Sequence, residues 1–184
     1  EITVGVAAIE GYAEFGYSGA WYDVDDLTTT IPTLGLVEYT GDYAGTLTFS
    51  GPGLLYLTDG EVAMEVDFTD SRLKGFITDR DVYSVSAGGV QTDIGDLNTL
   101  VLNDSVITDG SFEGTVTSRD ADSQVVETGT YQGFFGGADA AVIGGLVRAT
   151  GEYDLSQAEE SPNEDVFNAR DLGAFTANCT AACP

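Results

Sequence analysis

The sequence predicts an all-β protein, a single antiparallel β-barrel that fills most of a 184-residue chain. Three observations predict it. Apolar and polar side chains alternate in successive segments, turn residues separate those segments, and glycine recurs at the apolar positions. Glycine there relieves crowding and permits the bending that a small barrel needs. Closure into a barrel also removes the exposed edges of a sheet made of many short strands.

The predicted strands share one pattern, an apolar face with a period of two residues. Each therefore has one face in the core and one in water. The apolar positions are Tyr43, Gly45, Leu47 and Phe49, then Val62, Met64, Val66 and Phe68, then Leu73, Gly75 and Ile77, then Phe112, Gly114 and Val116, then Tyr131, Gly133 and Phe135, and finally Val147, Ala149, Gly151 and Tyr153.

Turn residues between these segments predict antiparallel neighbours. Asp59-Gly60 and Asp109-Gly110 suit the positive φ angles of tight hairpins, and Thr69-Asp70-Ser71-Arg72 is a third predicted turn. Short connections of this kind join strands that are adjacent in the sheet.

The two ends of the chain differ from the middle. Residues 1–38 are predicted to form N-terminal strands, 39–153 the barrel, and 154–184 a C-terminal tail, all within one domain. In the tail, Ser161-Pro162-Asn163-Glu164 has a capping serine and a first-turn proline, and Gly173 is placed to end a helix. The sequence thus predicts one short C-terminal helix.

Charge limits the partners. Six Lys and Arg face 31 Asp and Glu, a net charge of -25 that repels phosphates and anionic lipid headgroups, so we expect no nucleic acid partner. Adaptation to a salty medium and an acidic docking face are the two explanations for this charge. No apolar run is long enough for a membrane span, and we expect any export signal to have been removed from this chain.

Histidine is absent, and this removes the usual general base and the usual zinc and haem ligand. Because histidine is missing, the base-nucleophile pair of a serine or cysteine hydrolase cannot be assembled. Lys74, the only lysine, lies in a charged Arg-x-Lys context that is typical of a solvated strand face. The many acids make any chosen carboxylate pair uninformative. We therefore expect no enzyme and no cofactor.

The two cysteines, Cys179 and Cys183, lie in Asn-Cys-Thr-Ala-Ala-Cys-Pro near the C-terminus. Two thiols without histidine are too few for a zinc site, and no basic neighbour activates a thiolate. A local disulfide that holds the tail is the preferred interpretation, and free thiols are the alternative. A disulfide would indicate an oxidising compartment.

One segment resembles a known family. Residues 129–145, Gly-Thr-Tyr-Gln-Gly-Phe-Phe-Gly-Gly-Ala-Asp-Ala-Ala-Val-Ile-Gly-Gly, resemble the closing hairpin of the transferrin-binding protein B barrel family. Tyr39-Thr40-Gly41-Asp42-Tyr43-Ala44-Gly45 is similar to its first barrel strand, and Val66-Asp67-Phe68 with Gly75 to the next hairpin. Gly110-Ser111-Phe112-Glu113-Gly114 is similar to the strand before the signature. The likeness covers roughly residues 39–153. Two features differ, because no proline follows Gly136 and the glutamate of the helical turn is replaced by Ala141 or Val142.

The resemblance implies an eight-stranded barrel on an exported protein of a Gram-negative bacterium, at the outer membrane surface or secreted. Relatives include surface lipoproteins that bind transferrin, haemoglobin or complement factor H, haem carriers, and solute-binding proteins. Their partner-binding residues lie on variable loops, so none can be assigned to a position in this chain.

Two acidic segments and one methionine are candidate metal or haem ligands. Asp23-Val24-Asp25-Asp26 and Asp120-Ala121-Asp122-Ser123 place oxygen ligands at alternate positions, as calcium prefers, yet neither completes a known calcium loop. Solvated acidic turns are the preferred interpretation. Haem would need a tyrosine or Met64 as ligand, and the alternating pattern already explains Met64 as a core residue.

The aromatic residues Tyr17, Trp21 and Tyr22 are the candidate ligand-binding residues, because Trp and Tyr are common anchors in interfaces. The alternative is that these rings pack the N-terminal strands against the barrel. The predicted function is an exported, non-enzymatic protein that uses barrel loops to bind a protein partner or a small solute. The alternative is a structural subunit of a surface assembly, with self-association through the strand Ile2–Ile9.

Overall fold

The structure is a computed structural model of the chain and describes residues 2–9, 17–24, 31–50, 55–86, 88–154, 166–181 and 183. It is almost entirely β. The strands are β1 Ile2–Ile9, β2 Tyr17–Val24, β3 Leu36–Phe49, β4 Leu55–Asp67, β5 Arg72–Val85, β6 Gln91–Leu97, β7 Leu100–Thr108, β8 Ser111–Arg119, β9 Val125–Gly136, β10 Val142–Asp154 and β11 Val166–Ala181, with one 3-10 turn at Ala138–Ala140.

The larger sheet closes into an antiparallel barrel, which confirms the predicted fold class. Its order is β4-β3-β11-β10-β9-β8-β7-β5, and β5 pairs back to β4 to complete eight strands. β6 and β7 follow one another along β5, with β7 beside its first half and β6 beside its second half. Every pairing is antiparallel, so neighbouring barrel strands run in opposite directions.

The β4–β5, β7–β8 and β9–β10 connections lie at one end, here called the turn end, and the opposite end is called the loop end. Asp109 and Gly110 form the β7–β8 turn with φ angles of 49° and 75°, and this confirms the turn that the sequence predicts there. The turn predicted at Asp59-Gly60 is wrong, because both residues lie inside β4. A Cβ on Gly60 would lie 2.7 Å from the Thr78 carbonyl oxygen, so this glycine permits close strand approach.

The barrel interior holds the apolar faces that the alternation predicts. Tyr43, Val62, Met64, Ile77 and Tyr131 are all buried, and Met64 is therefore a core residue. Phe135 packs edge to face with Tyr39 and Phe112, with ring centroids 6.1 Å and 5.7 Å apart. A second, smaller apolar cluster around Leu47, Phe49 and Tyr56 fills the loop end.

The C-terminal segment departs from the expected tail. Residues 161–165 of the predicted helix lie outside the described part of the chain, and from Val166 onward the prediction is wrong, because Val166–Ala181 is strand β11. β11 lies between β10 and β3 and completes the barrel, so the barrel extends beyond residue 153. Gly173 is buried inside this strand and does not end a helix. The structure joins Cys179 and Cys183 in a disulfide at the end of β11.

The N-terminal strands form a separate two-stranded hairpin, β1 and β2, as expected for strands beside the barrel. The hairpin lies against the outer face of β3, β10 and β11. Thr46 and Thr48 on β3, which the alternation places in water, are buried. Both hydroxyls donate to β11 carbonyls, Thr46 to Leu172 and Thr48 to Arg170.

Within the described residues, the structure holds no helix with the length and apolar character needed to traverse a membrane.

Candidate functional site

The β1–β2 hairpin turns its two faces in opposite directions, and the candidate residues Trp21 and Tyr22 are divided between them. Gly5 pairs with Trp21 and Val4 with Tyr22. Successive side chains of a strand point to opposite faces, so the two rings cannot form one patch. The sequence placed them together, and the structure separates them.

Trp21 lies on the outward face of the hairpin. Its indole covers the backbone of Gly5, where an added Cβ would lie 2.7 Å from three ring atoms. The ring is nevertheless 51% exposed. Because Gly5 has no side chain, the indole packs directly against the backbone at this position, and this contact holds the exposed ring in place.

Tyr22 faces the barrel. Its ring meets that of Phe134 with centroids 4.7 Å apart, and Phe134 is an outward-facing residue of β9 that is itself buried. Ile2 packs over Gly144 of β10, and Ser18 accepts a hydrogen bond of 3.3 Å from the Arg170 side chain. Tyr22 thus makes the barrel contact that the sequence offered as the alternative, while 45% of its surface stays exposed.

A groove begins beside Tyr22 and runs over the outer face of β7, β8 and β9. Its volume is about 480 Å³. Phe134 and Gly133 line it together with Val106, Glu113 and Tyr22, and Val106 is half exposed. The hairpin therefore presents an exposed indole on one side and borders a groove of mixed polar and apolar lining on the other.

The remaining candidates are placed as follows. Tyr17 begins β2, and its side chain lies outside the described residues. Asp25 and Asp26 also lie outside them. Asp120 accepts the backbone N–H groups of Asp122 and Gln124, so its carboxylate is used to shape the β8–β9 turn. Among the described residues, no group of three acids or cysteines is arranged to hold a metal ion.

The barrel interior contains an ionic layer between its two apolar clusters. The Arg80 guanidinium, fully buried, donates to both oxygens of Glu127 at 2.8 and 3.0 Å and to Asp171 at 2.8 Å. It also donates to the Asn98 carbonyl at 2.6 Å. Burial disfavours its charge, but the two carboxylates outweigh burial and hold the pKa of Arg80 well above its usual value.

Hydroxyl groups complete this layer. Tyr43 donates to Asp171 at 2.8 Å, Thr58 donates to the other oxygen of Asp171 at 3.1 Å, and Tyr153 donates to Glu127. Burial, and then the neighbouring carboxylate charge, raise the pKa of both tyrosine hydroxyls. Both hydroxyls therefore stay protonated and act as donors.

A β-bulge in β5 places Arg80 in this layer. Asp59 pairs with Asp81 and Glu61 with Thr78, so Asp79 and Arg80 together oppose Gly60. Leu73, Gly75 and Ile77 face inward before the bulge, and Arg80 and Val82 face inward after it. The extra residue thus turns an arginine inward that strict alternation would place in water.

Sequence reasoning missed all three ionic residues, although one signal was available for two of them. In β9 every second residue faces inward, and Glu127 lies on this inward series. Asp171 lies on the corresponding inward series of β11. An acid at an apolar position of a strand indicates a buried partner. Arg80 had no such signal, because the bulge reverses the pattern at that point.

Comparisons with known proteins identify the fold. No protein-family model matches the sequence, and no curated protein matches it. Among solved structures, a double mutant of transferrin-binding protein B from Haemophilus parasuis Hp5 matches 96% of this chain and 37% of its own length, with 15% identity and a TM-score of 0.52. A single mutant of the same protein matches 89% of this chain and 32% of its own length, with 18% identity and a TM-score of 0.51.

A structure described as a surface lipoprotein matches 96% of this chain and 76% of its own length, with 15% identity and a TM-score of 0.53. The chain spans about a third of the length of the transferrin-binding proteins, at 37% and 32%. At these identities the matches show a shared fold, the barrel of transferrin-binding protein B.

Proposed function

We propose that this chain is an exported binding protein without enzymatic activity, and that it contacts a protein partner through the outward face of the β1–β2 hairpin. The half-exposed indole of Trp21 over Gly5 is the observation that carries this proposal. A tryptophan already held in place loses little entropy on binding and provides a large apolar contact. Barrel loops beside the hairpin extend the contact.

Four further observations support the proposal. The fold is shared with proteins named for binding transferrin, a protein partner. A neighbour of the same fold is described as a surface lipoprotein, and the Cys179–Cys183 disulfide suits an oxidising compartment, so we place the chain at the cell surface or outside the cell. The net charge of -25 favours a partner with a basic surface.

The partner is sought by photo-crosslinking in two versions of the full chain. One carries p-benzoylphenylalanine in place of Trp21 and the other carries it in place of Phe76, an equally exposed aromatic on β5. Each is irradiated in medium from the source cells and, separately, with purified transferrin. We expect one protein to be captured at position 21 at several times the yield at position 76. Equal capture at both positions, or none, would contradict the proposal.

The captured protein is then purified, and its affinity is measured by biolayer interferometry. We expect Trp21→Ala to weaken binding roughly 30-fold, about 2 kcal/mol, because an interface tryptophan is typically a hot spot. Phe76→Ala is the matched control and should leave the affinity unchanged. Far-ultraviolet circular dichroism and melting curves of both variants establish that they fold alike.

A structural subunit is the second candidate, and one observation favours it. Among the described residues, β1 and β2 pair only with each other, so each leaves an edge of backbone N–H and C=O groups without a strand partner. A second copy could add a strand there. Light scattering from micromolar to millimolar protein tests this, with Ala7→Lys as the variant whose charge blocks strand addition. A monomer at all concentrations excludes this candidate.

A further inference from the structure

A cleft opens at the loop end of the barrel where β6 leaves the wall. β7 pairs with both β5 and β8, whereas β6, among the described strands, pairs with β5 alone. Between β6 and the neighbouring ends of β9 and β10 lies a cavity of about 260 Å³. At ~30 Å³ for each water in the liquid, this volume corresponds to roughly nine non-hydrogen atoms.

The walls of this loop-end cleft are apolar and aromatic. Phe49 and Tyr153 line it, and their rings meet edge to face with centroids 6.1 Å apart. The other apolar lining residues are Leu47, Val82, Ile94, Leu97 and Val126. Such walls favour an occupant with an apolar body.

The charged groups of the cleft are acidic. Asp96, Glu127 and Glu152 line it. All six basic residues of the chain lie in the described part of the structure, and none of them lines the cleft. The described lining residues therefore contribute negative charge and no positive charge to the cleft.

The ionic layer of Arg80, Glu127 and Asp171 lies directly beneath the cleft and adds to its negative charge. Two carboxylates, Glu127 and Asp171, share one guanidinium, that of Arg80, so the layer has a formal charge of one negative unit when all three are ionised. An ionised carboxylate can accept about four hydrogen bonds, and the described contacts of Glu127, two from Arg80 and one from Tyr153, leave one acceptor position. A buried negative charge without a full set of cations is costly unless a cation approaches it.

We propose that the loop-end cleft binds a small organic cation, an ammonium group carried on an apolar or aromatic body of roughly nine non-hydrogen atoms. The ammonium group lies toward Glu127, with the exposed carboxylate of Glu152 at the outer rim, and the apolar body packs between Phe49, Tyr153 and Leu97. The aromatic faces add cation–π attraction to the charge of the carboxylates. Neither Trp21 nor the hairpin takes part, so this site is independent of the proposed protein interface.

The test uses the full chain, labelled with nitrogen-15, and three probes of one shape. These are 2-phenylethylammonium, the neutral 2-phenylethanol and the anionic phenylacetate. Amide shifts recorded during each titration give the affinity and the location of binding. We expect the ammonium probe to bind at least ~10-fold more tightly than the alcohol, a difference of about 1.4 kcal/mol, with shifts concentrated in β6 and around Tyr153. Phenylacetate should not bind.

Two variants with the same change of charge separate local from general attraction. Glu152→Gln removes an exposed carboxylate of the cleft and should weaken the ammonium probe at least ~3-fold, since it removes a neighbouring charge. Glu38→Gln removes an exposed carboxylate at the turn end and should leave the affinity unchanged. Melting curves of both variants check that the fold is retained.

Several results would overturn the cation site. They are equal affinity for the ammonium and the alcohol, equal affinity of the two glutamine variants, shifts that map outside the cleft, or no binding of the ammonium probe at tens of millimolar. Trp21→Ala should bind the probe as the unsubstituted chain does. Protein binding by this variant thus tests the hairpin interface, and probe binding tests the cleft. Either proposal can fail while the other is supported.

Discussion

Arg80 and Glu127 form a bidentate ion pair inside the barrel, with Nη1 2.8 Å from Oε2 and Nη2 3.0 Å from Oε1. Both side chains are almost completely buried. Because Asp171 also depends on the same guanidinium, one positive charge neutralises carboxylates from two strands, β9 and β11, that β10 separates. This arrangement makes the closed barrel sensitive to the loss of a single side chain.

Replacement of Arg80 should be strongly destabilising. In Arg80→Met, the carboxylates of Glu127 and Asp171 remain buried without their cation, and we expect the free energy of unfolding to fall by about 3–5 kcal/mol. Urea denaturation followed by circular dichroism measures this loss. Arg119→Met, on the exposed end of β8, is the control and should change stability by less than about 0.5 kcal/mol. Equal stability of the two variants would show that the ionic layer is not structural.

Tyr39 should make stability depend on alkaline pH. Burial raises the pKa of its hydroxyl to about 12, and the hydroxyl donates to the Ala140 carbonyl at 2.6 Å. The folded chain thus holds this proton longer than the unfolded chain, whose tyrosine titrates near its usual value of 10.0. The stabilisation is complete below pH 10 and is lost as the pH rises toward 12.

Tyr39→Phe tests this interpretation. At neutral pH the variant should lose about 1 kcal/mol of stability, because the Ala140 carbonyl loses its donor. Between pH 10 and pH 12 its stability should fall less steeply than that of the unsubstituted chain, by up to about 1.4 kcal/mol per pH unit, since one titrating group is gone. Denaturation curves at a series of pH values measure both effects. Parallel pH curves for the two chains would contradict the prediction.

Asp81 should destabilise the barrel at neutral pH. It pairs directly with Asp59 on β4 and Asp96 on β6, so three carboxylates lie in a row across neighbouring strands. Desolvation and then the charges of Asp96 and Asp59 raise its pKa. The ionised form is therefore disfavoured in the folded state, and the resulting destabilisation is present above this raised pKa and disappears below it.

Asp81→Asn should accordingly raise the melting temperature at pH 7. The gain should shrink in high salt, because salt screens the row of charges, and it should vanish as the pH falls through the pKa of Asp81. Asp122→Asn in the β8–β9 turn makes the same chemical change outside the row. Calorimetry at low and high ionic strength compares them, and an equal shift in both variants would argue against the row.

Gly129 should not tolerate a side chain. A Cβ at this position would lie 1.8 Å from the Arg148 carbonyl oxygen of β10, which is backbone and cannot rotate away. We expect Gly129→Ala to cost at least about 1–3 kcal/mol, or to prevent folding, because the two strands must separate. At Gly19 an added Cβ meets no atom within 4 Å, so Gly19→Ala is the matched control. Thermal melting of both variants decides the point.

The alternation of side chains predicted the barrel from sequence because it depends only on neighbouring residues. Inward positions such as Val62, Ile77 and Tyr131 recur every second residue, and any strand that buries one face must place them together. The turn at Asp109-Gly110 was predictable for the same reason, since its φ preference is local. Where a local signal had two explanations, the prediction was wrong. Asp59-Gly60 reads as a turn, and the same glycine also permits close strand approach inside β4.

The C-terminal segment shows a similar competition. A capping serine and proline precede residues that have no strong strand pattern, yet Val166–Ala181 is strand β11 because it supplies the missing neighbour of β10 and β3. Closure of the barrel buries apolar surface and pairs two edges at once, and this outweighs a weak local preference for helix.

By itself, the sequence determined the all-β class, the inward faces of the central strands and the acidity of the surface, since all three follow from residue types and their spacing. Only the tertiary structure decided that Trp21 faces outward and Tyr22 the barrel, that a bulge turns Arg80 inward toward Glu127, and that β6 opens a cleft. These features depend on which strands become neighbours and in what register, and a period of two residues carries no information about either.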